Sequence, residues 1–200
     1  MDSILLLVDC QYDFINGSLE VPGAYADMEK LELYLDRIAR GEVKYEKSCS
    51  TVDLHPINHC SFKDNGGQWP RHCVQFTHGA AIYDKIFRGV LATKVPYHVI
   101  EKGWNEEKEA YSAFEYGPCA FKLPGSNHEV FKPENTHIDV AGIAYDYCVK
   151  NCVIDLAKEG YDIRVLRQVC SQISKDSADD ATEEMRAFKN VEIIRSFLDR

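Results

Sequence analysis

Hydrophobic positions along the chain fall into two alternating rhythms. Ser3 to Val8 is an unbroken apolar run that stops at Asp9, the pattern of a strand buried on both faces. Asp27 to Arg40 instead spaces Met28, Leu31, Leu35 and Ile38 by three and four residues and closes at Gly41, which predicts an amphipathic helix. Lys44 to Thr51 is a weaker, more polar strand candidate, Tyr83 to Phe87 a helical turn, and Tyr97 to Ile100 a short strand running into Glu101 and Lys102. Thr136 to Ile143 is a β-rich run. Tyr145 to Lys158 follows with Cys148, Val149, Cys152, Val153, Leu156 and Ala157 on one helical face before Gly160, and Tyr161 to Val169 returns as a strand. That order is a parallel strand–helix–strand crossover. Ser177 to Phe188 reads as a further helix and Val191 to Ile194 as a last strand. Residues 53–80 and 103–135 show no period, and loops that long inside a compact domain are usually functional.

These elements predict an α/β fold: a three-layer α/β/α arrangement with a central, mostly parallel sheet, built as one domain over residues 1–200. Ligands in such folds sit at the carboxyl ends of the strands. The polar residues found there are Asp9, Asp53 and Lys102, with Cys148 one turn into a helix.

Composition narrows the partners. Thirty-two acidic against 23 basic residues leave a net charge of −9, and such a surface repels nucleic acid and anionic membranes. No apolar run approaches the ~18 residues of a membrane helix, and Ile4 to Val8 is too short for a signal-peptide core. The expectation is a cytoplasmic protein with a small neutral or cationic partner, its eight cysteines carried mainly as thiols.

Two constellations carry chemistry. Asp53, His55, His59 and His72 fall within twenty residues. Asp53 and His55, two apart, leave the same face of an extended segment, and His72 can close the set from the far end of the loop. Two imidazoles and a carboxylate leave positions open on zinc or another divalent metal; any one of these histidines alone reads more readily as loop surface. Cys60 and Cys73 make no standard spacing with them. The second constellation is Cys148 at the start of a helix after Gly142-Ile143-Ala144. Unpaired N–H groups and the positive field of a helix start favour a thiolate there and can stabilise an oxyanion. Cys148 also reads as a small residue on a buried face, Asp9 as a cap and Lys102 as a solvated charge.

Taken together, these residues resemble the nicotinamidase/pyrazinamidase branch of the isochorismatase-like cysteine hydrolases. The motifs stand in order: Leu7-Val8-Asp9-Cys10-Gln11-Tyr12-Asp13-Phe14; Ser50-Thr51-Val52-Asp53-Leu54-His55-Pro56 with His59 and Ser61-Phe62; Trp69-Pro70-Arg71-His72-Cys73-Val74 with Thr77 and Gly79-Ala80; Lys102-Gly103 with Tyr111-Ser112-Ala113-Phe114; and Gly142-Ile143-Ala144-Tyr145-Asp146-Tyr147-Cys148-Val149. The resemblance implies a catalytic triad of Asp9, Lys102 and Cys148, with Lys102 lowering the pKa of the thiol. It implies a cis Ile143–Ala144 peptide and an oxyanion hole from the Ala144 and Cys148 N–H groups. Asp53, His55 and His72 would hold one divalent metal ion per chain, zinc first by ligand type and iron or manganese next, with His59 a further ligand or near neighbour. Phe14 and Trp69 would sandwich a pyridine ring, with Tyr111 and Ile143 at the pocket. The implied reaction is hydrolysis of nicotinamide through a cysteine thioester, serving NAD salvage, and pyrazinamide is a second candidate substrate. A homo-oligomer is left open.

The chain departs from that pattern at Gln75-Phe76, where the bulky Phe76 is expected to reshape the loop near the ligand, and at Tyr145 and Tyr147. The nearest rival is a metal-independent hydrolase of another amide or carbamoyl compound, which would not need Asp53, His55 and His72. A non-catalytic metal-binding or regulatory module would not need the triad. A redox pair of Cys148 and Cys152 meets the poor disulfide geometry of a rigid helix.

Overall fold

The computed structural model describes residues 2–115 and 132–196. Six strands form one sheet: β1 (Asp2–Val8), β2 (Lys47–Asp53), β3 (Tyr97–Lys102), β4 (Thr136–Ile143), β5 (Asp162–Ser171) and β6 (Val191–Ile194), in the spatial order β3-β2-β1-β4-β5-β6. Every neighbouring pair is parallel. The chain winds outward from β1 to β2 and β3, then crosses back to β4 and winds the other way. The topological switch therefore lies between β1 and β4, where a ligand crevice opens in folds of this type.

Helices cover both faces. β1 explains why: Ile4, Leu6 and Val8 enter one core with α4 (Lys150–Lys158) and α5 (Lys175–Arg186), while Leu5 and Leu7 enter the other with α2 (Ala24–Ala39) and α3 (Asp84–Thr93). With no wet side, period-2 alternation disappears and the strand reads as a continuous apolar run. No helix among the described residues is long and apolar enough to cross a membrane.

Several boundaries differ from the sequence reading. α2 starts at Ala24, after Gly23 in the left-handed region, and not at Asp27. α3 extends to Thr93; its inward residues are only Ile86 and Val90, and the exposed Phe87 and Leu91 blur the period. A five-residue helix, α1 (Tyr12–Asn16), is too short to show a period. β2 is buried throughout despite its sequence Lys-Ser-Cys-Ser-Thr-Val-Asp, because it lies inside the sheet between β1 and β3. The crossover helix opens with a π turn at Tyr145–Val149 before continuing as α4; single π turns inside helices occur often at functional sites. Where β4 passes β1, Gly142 has φ +128°, and a Cβ there would lie 2.0 Å from the Val8 carbonyl oxygen, so only glycine fits this approach.

One buried polar network lies away from the strand ends that carry the site. Asp139 on β4, fully buried, accepts from Arg164 Nε (2.7 Å) and Nη2 (2.5 Å), from His137 Nε2 (2.8 Å) and from the Tyr45 hydroxyl. His137 Nδ1 meets Asp162 at 2.7 Å. Both ring nitrogens face carboxylates, so the imidazolium is the favoured form, and the hydrogen bond to Asp139 raises the pKa of His137 above its ordinary value. Stability gained this way is complete below the unfolded histidine value of about 6.5 and is lost as pH rises through the elevated folded value. The melting temperature of the wild type should therefore exceed that of His137→Gln most at mildly acidic pH, and the gap should close toward alkaline pH. A gap that stays constant or widens with pH would remove His137 from this role.

Candidate active site and metal centre

The strand register brings the polar ends together. Val8 pairs with Thr51 on one side and Gly142 on the other, and Asp53 pairs with Lys102. Asp9 turns off β1 with φ +47°, in the left-handed region that aspartate tolerates better than most side chains. Its Oδ1 accepts from the Thr51 hydroxyl at 2.6 Å. Lys102 Nζ then lies 2.9 Å from Asp9 Oδ2, 2.5 Å from Asp53 Oδ1, 3.3 Å from the Ala110 carbonyl and 3.5 Å from Cys148 Sγ. Lys102, Asp9 and Cys148, distant in sequence, thus share one buried cluster.

Electrostatics there departs from the simplest expectation. Burial pushes the Cys148 thiol well above the ordinary cysteine range, and the Lys102 ammonium only partly opposes it, while Asp9 and Asp53 push the same way as burial. A helix start and one lysine are thus not enough to make a resting thiolate at this depth. Burial likewise raises Asp9, against the pull of Lys102. Burial alone would depress Lys102, but Asp53 and Asp9 outweigh it and hold the ammonium charged. Burial thus raises the proton affinity of both the thiol and Asp9, and Asp9 has gained the proton affinity a base at this sulfur needs.

Beside this cluster, Asp53, His55 and His72 point their ligand atoms to within 4.8 Å of one another. His55 Nδ1 lies 2.9 Å from the Gly103 carbonyl, and His72 Nδ1 lies 2.8 Å from the Pro70 carbonyl. A carbonyl only accepts, so each Nδ1 carries the proton and each Nε2 a lone pair. His55 Nε2 is buried with no hydrogen-bond partner among the described residues, and it faces Asp53 Oδ2 at 3.7 Å. Two acceptors face each other across a gap too long for a hydrogen bond. A cation between them satisfies both, and a donor set of two imidazoles and a carboxylate suits zinc-like ions. Burial, together with His72 and His59, pushes His55 down to about 3, which keeps it neutral and ready to ligate.

His59 is turned differently. Its Nδ1 accepts from the Ser61 backbone N–H (3.3 Å) and lies 2.8 Å from the Ser61 hydroxyl, and its Nε2 lies 3.3 Å from the Lys108 carbonyl. That pattern puts the proton on Nε2. His59 stacks near His55, at 4.1 Å between ring centroids, and its ligand atom groups with those of His55 and Glu109 and not with Asp53 and His72.

The walls of the cleft beside Cys148 include Phe14, Trp69, Tyr111, Tyr147, Ala144 and Ile173. Trp69 Nε1 donates to the Tyr111 hydroxyl (3.1 Å), and the Tyr147 ring packs edge-on to Trp69 (5.1 Å) and tilted to Tyr111 (5.5 Å). Asp53 and His72 open onto the same cleft. The Ile143 side chain does not; it is fully buried in the core under α2 and α3, because inward-facing β4 positions point into the layers. Ile143 reaches the site only through its peptide to Ala144, which is cis. Phe76 is fully exposed at φ +62° and does not line the cleft. Tyr145 is also core, its ring under Arg167 and its hydroxyl on Thr182.

Residues 3–195 match the Isochorismatase domain. The chain belongs to the isochorismatase family. Within that family it is 35% identical over 196 residues to the nicotinamidase/pyrazinamidase of Mycobacterium tuberculosis, covering 96% of this chain and 98% of the relative. The pyrazinamidase of Pyrococcus horikoshii, solved in complex with zinc, superposes with a TM-score of 0.76 at 29% identity over 98% of this chain and all of the other. PnC1 from L. infantum, solved in complex with nicotinate, reaches 0.80 at 27% identity over 97% and 92% of the two chains.

Three groups in this isochorismatase-family site receive no role from the sequence alone, Gln11 and Asp13 although they stand in the first motif and Glu109 because it stands in none. Gln11, fully buried, donates to the Asp53 and Ala80 carbonyls and accepts from the Asp53 N–H, each at 2.8 Å. Asp13 accepts from the Cys73 N–H at 2.7 Å and so steadies the residue after His72. Glu109 lines the cleft within reach of the histidines. Of the other histidines, His78 lies on the Tyr12 ring (4.0 Å), His98 on β3 and His137 in the Asp139 network; His128 and Cys119 lie outside the described residues. Cys148 and Cys152 are both free thiols.

Gly103 holds His55, a candidate metal ligand, most directly. At φ +68° its carbonyl bonds His55, and a Cβ there would stand 2.6 Å from the His55 ring. If this candidate centre takes zinc, Gly103→Ala should weaken its binding by about 10–100-fold, as loss of an outer partner of a ligating histidine typically does. Competition with a chromophoric chelator reads this directly, and an unchanged affinity would show that the ring is held by other means.

Proposed function

We propose that the chain is a nicotinamidase: it hydrolyses nicotinamide to nicotinic acid and ammonia through a thioester on Cys148. The observation that carries this reading is one buried ammonium, Lys102, touching Asp9, Asp53 and Cys148 at the edge of an aromatic cleft onto which Asp53 and His72 also open. The activities named for the M. tuberculosis relative and the nicotinate held by the L. infantum structure support the same substrate class.

Phe14, Trp69, Tyr111 and Tyr147 give the cleft flat apolar walls suited to a single aromatic ring. With the ring held, the carboxamide carbon faces Cys148. Asp9 takes the thiol proton as the sulfur attacks, and Lys102 offsets the charge that passes from sulfur to substrate. The N–H groups of Ala144 and Cys148, at the start of the helix where intrahelical partners are lacking, receive the oxyanion. Asp9 then delivers its proton to the departing ammonia, leaving an acyl–sulfur bond. Water, deprotonated by Asp9, attacks the thioester carbon; nicotinic acid leaves and the proton returns to sulfur. One divalent ion per chain, held by Asp53, His55 and His72, would supply a Lewis acid able to meet the pyridine nitrogen; zinc suits the donors, as do iron and manganese. Pyrazinamide, a single ring of similar size, fits the same walls. The place in metabolism is NAD salvage, downstream of reactions that release nicotinamide.

Ammonia release from nicotinamide tests the reading. The metal-loaded protein should release ammonia, a chelator should suppress release, and added metal should restore it. Cys148→Ala should lower turnover by about a thousandfold or more, the scale of losing a covalent nucleophile. No release from the metal-loaded wild type across a wide concentration range, alongside cleavage of other amides, would assign the triad to a different substrate.

A further inference from the structure

Next to the nucleophile stands a buried carboxylate that the mechanism does not use. Asp146 is the second residue of the π turn that carries Cys148, and it is 3% exposed. Its described partners are all neutral donors. The Ile173 N–H lies 3.1 Å from both oxygens, the Ser174 N–H 3.1 Å and the Ser177 hydroxyl 2.5 Å from Oδ2. Ser174 is the N-cap of α5, its hydroxyl accepting from the Ser177 N–H at 3.2 Å. A buried anion surrounded by oriented N–H and O–H groups at a helix start is well satisfied without a counter-charge.

What these donors belong to matters more than their number. Ile173 is a wall of the cleft, and so are Ala144, Tyr147 and Cys148 on either side of Asp146. We infer that Asp146 is a positioning residue that locks the Cys148 turn to the Ile173 wall, and so fixes the spacing between nucleophile and bound ring. A second strut joins the same two elements: the Tyr145 hydroxyl lies 2.8 Å from Thr182 Oγ1 on α5. Neither Tyr145 nor Thr182 lines the cleft, so that strut provides an internal control for stability.

The choice of substrate rests on the nicotinamidase reading, so the test carries one arm that does not. Variants are compared at a temperature where circular dichroism shows each to be folded. Asp146→Asn keeps the shape but presents an amide in place of one acceptor. It should lower kcat/KM for nicotinamide by about tenfold or more, the scale of a lost hydrogen bond to a charged group, with part of the loss in KM. Alkylation of Cys148 by iodoacetamide should change rate in the same variant, whatever the natural substrate. Ser177→Ala, losing one donor of several, should move the same readouts a few-fold. Tyr145→Phe should lower the melting temperature yet leave KM, kcat and alkylation within about twofold, since it removes only a remote neutral bond. Asp146→Asn with wild-type KM, kcat and alkylation would overturn the inference, as would Tyr145→Phe proving equally damaging. Should Asp146→Asn not fold, unaltered KM and alkylation in Ser177→Ala overturns it instead. A wild type inactive on nicotinamide fails the substrate reading and leaves the alkylation comparison to decide the role of Asp146.

Discussion

The site depends on a single positive charge kept in a place where charge is costly. Lys102 is 3% exposed, and an ammonium so far from water persists only when carboxylates and other acceptors replace its hydration. Asp9 and Asp53 do that at 2.9 and 2.5 Å. Each brings a further demand. Asp9 must also bond Thr51, and Asp53 must also face His55. The compensation of one buried lysine thereby joins the sulfur chemistry to the histidine cluster. Two carboxylates against one ammonium leave an excess of negative charge, and the lone pair of His55 is a further acceptor left without a partner among the described residues. A divalent cation beside Asp53 is what this balance calls for.

The sheet makes that arrangement attainable. Parallel strands place all their carboxyl ends on one edge, so Asp9, Asp53 and Lys102 converge without any long reach from flexible loops. The winding reverses between β1 and β4, which leaves room beside Asp9 for the turn bearing Cys148. The loop after β2 contributes His55 and His72 while its backbone is tied down by Gln11 and Asp13, whose side chains come from the first turn after β1. Precision at the site thus comes from backbone bonds to buried side chains more than from the packing of hydrophobic residues.

Much of this was legible in the sequence because several signals were one-dimensional. Continuous apolar runs such as Ile4 to Val8 mark buried strands, and polar residues that end them mark the working edge of the sheet. Asp53 and His55 share a face by spacing alone. Other features depend on three-dimensional context. β2 reads as polar yet lies wholly inside the sheet, where the Thr51 hydroxyl bonds Asp9 and the Ser48 and Ser50 hydroxyls are buried with no partner among the described residues. The thiol of Cys148 is raised, not lowered, because burial outweighs a neighbouring cation, and no sequence pattern reports depth. Ile143 sits in the motif beside Ala144 but faces the core, and Phe76 sits near the histidines but faces water. His59 falls within the ligand spacing, yet its ring is turned by Ser61 and the Lys108 carbonyl. Tyr147 becomes a cleft wall only once the π turn has placed it against Trp69 and Tyr111.

The division of β1 between two cores has a consequence for how such a chain can vary. Ile4, Leu6 and Val8 serve one helical layer, and Leu5 and Leu7 serve the other. Leucine, isoleucine and valine can exchange along it at modest cost, because both environments are apolar. Length is another matter. Removing or adding one residue would exchange the two faces and would also move Asp9 by one strand step, about 3.3 Å, out of reach of Lys102. The strand is therefore permissive in composition and intolerant in count, and an insertion or deletion there would be felt first as lost chemistry.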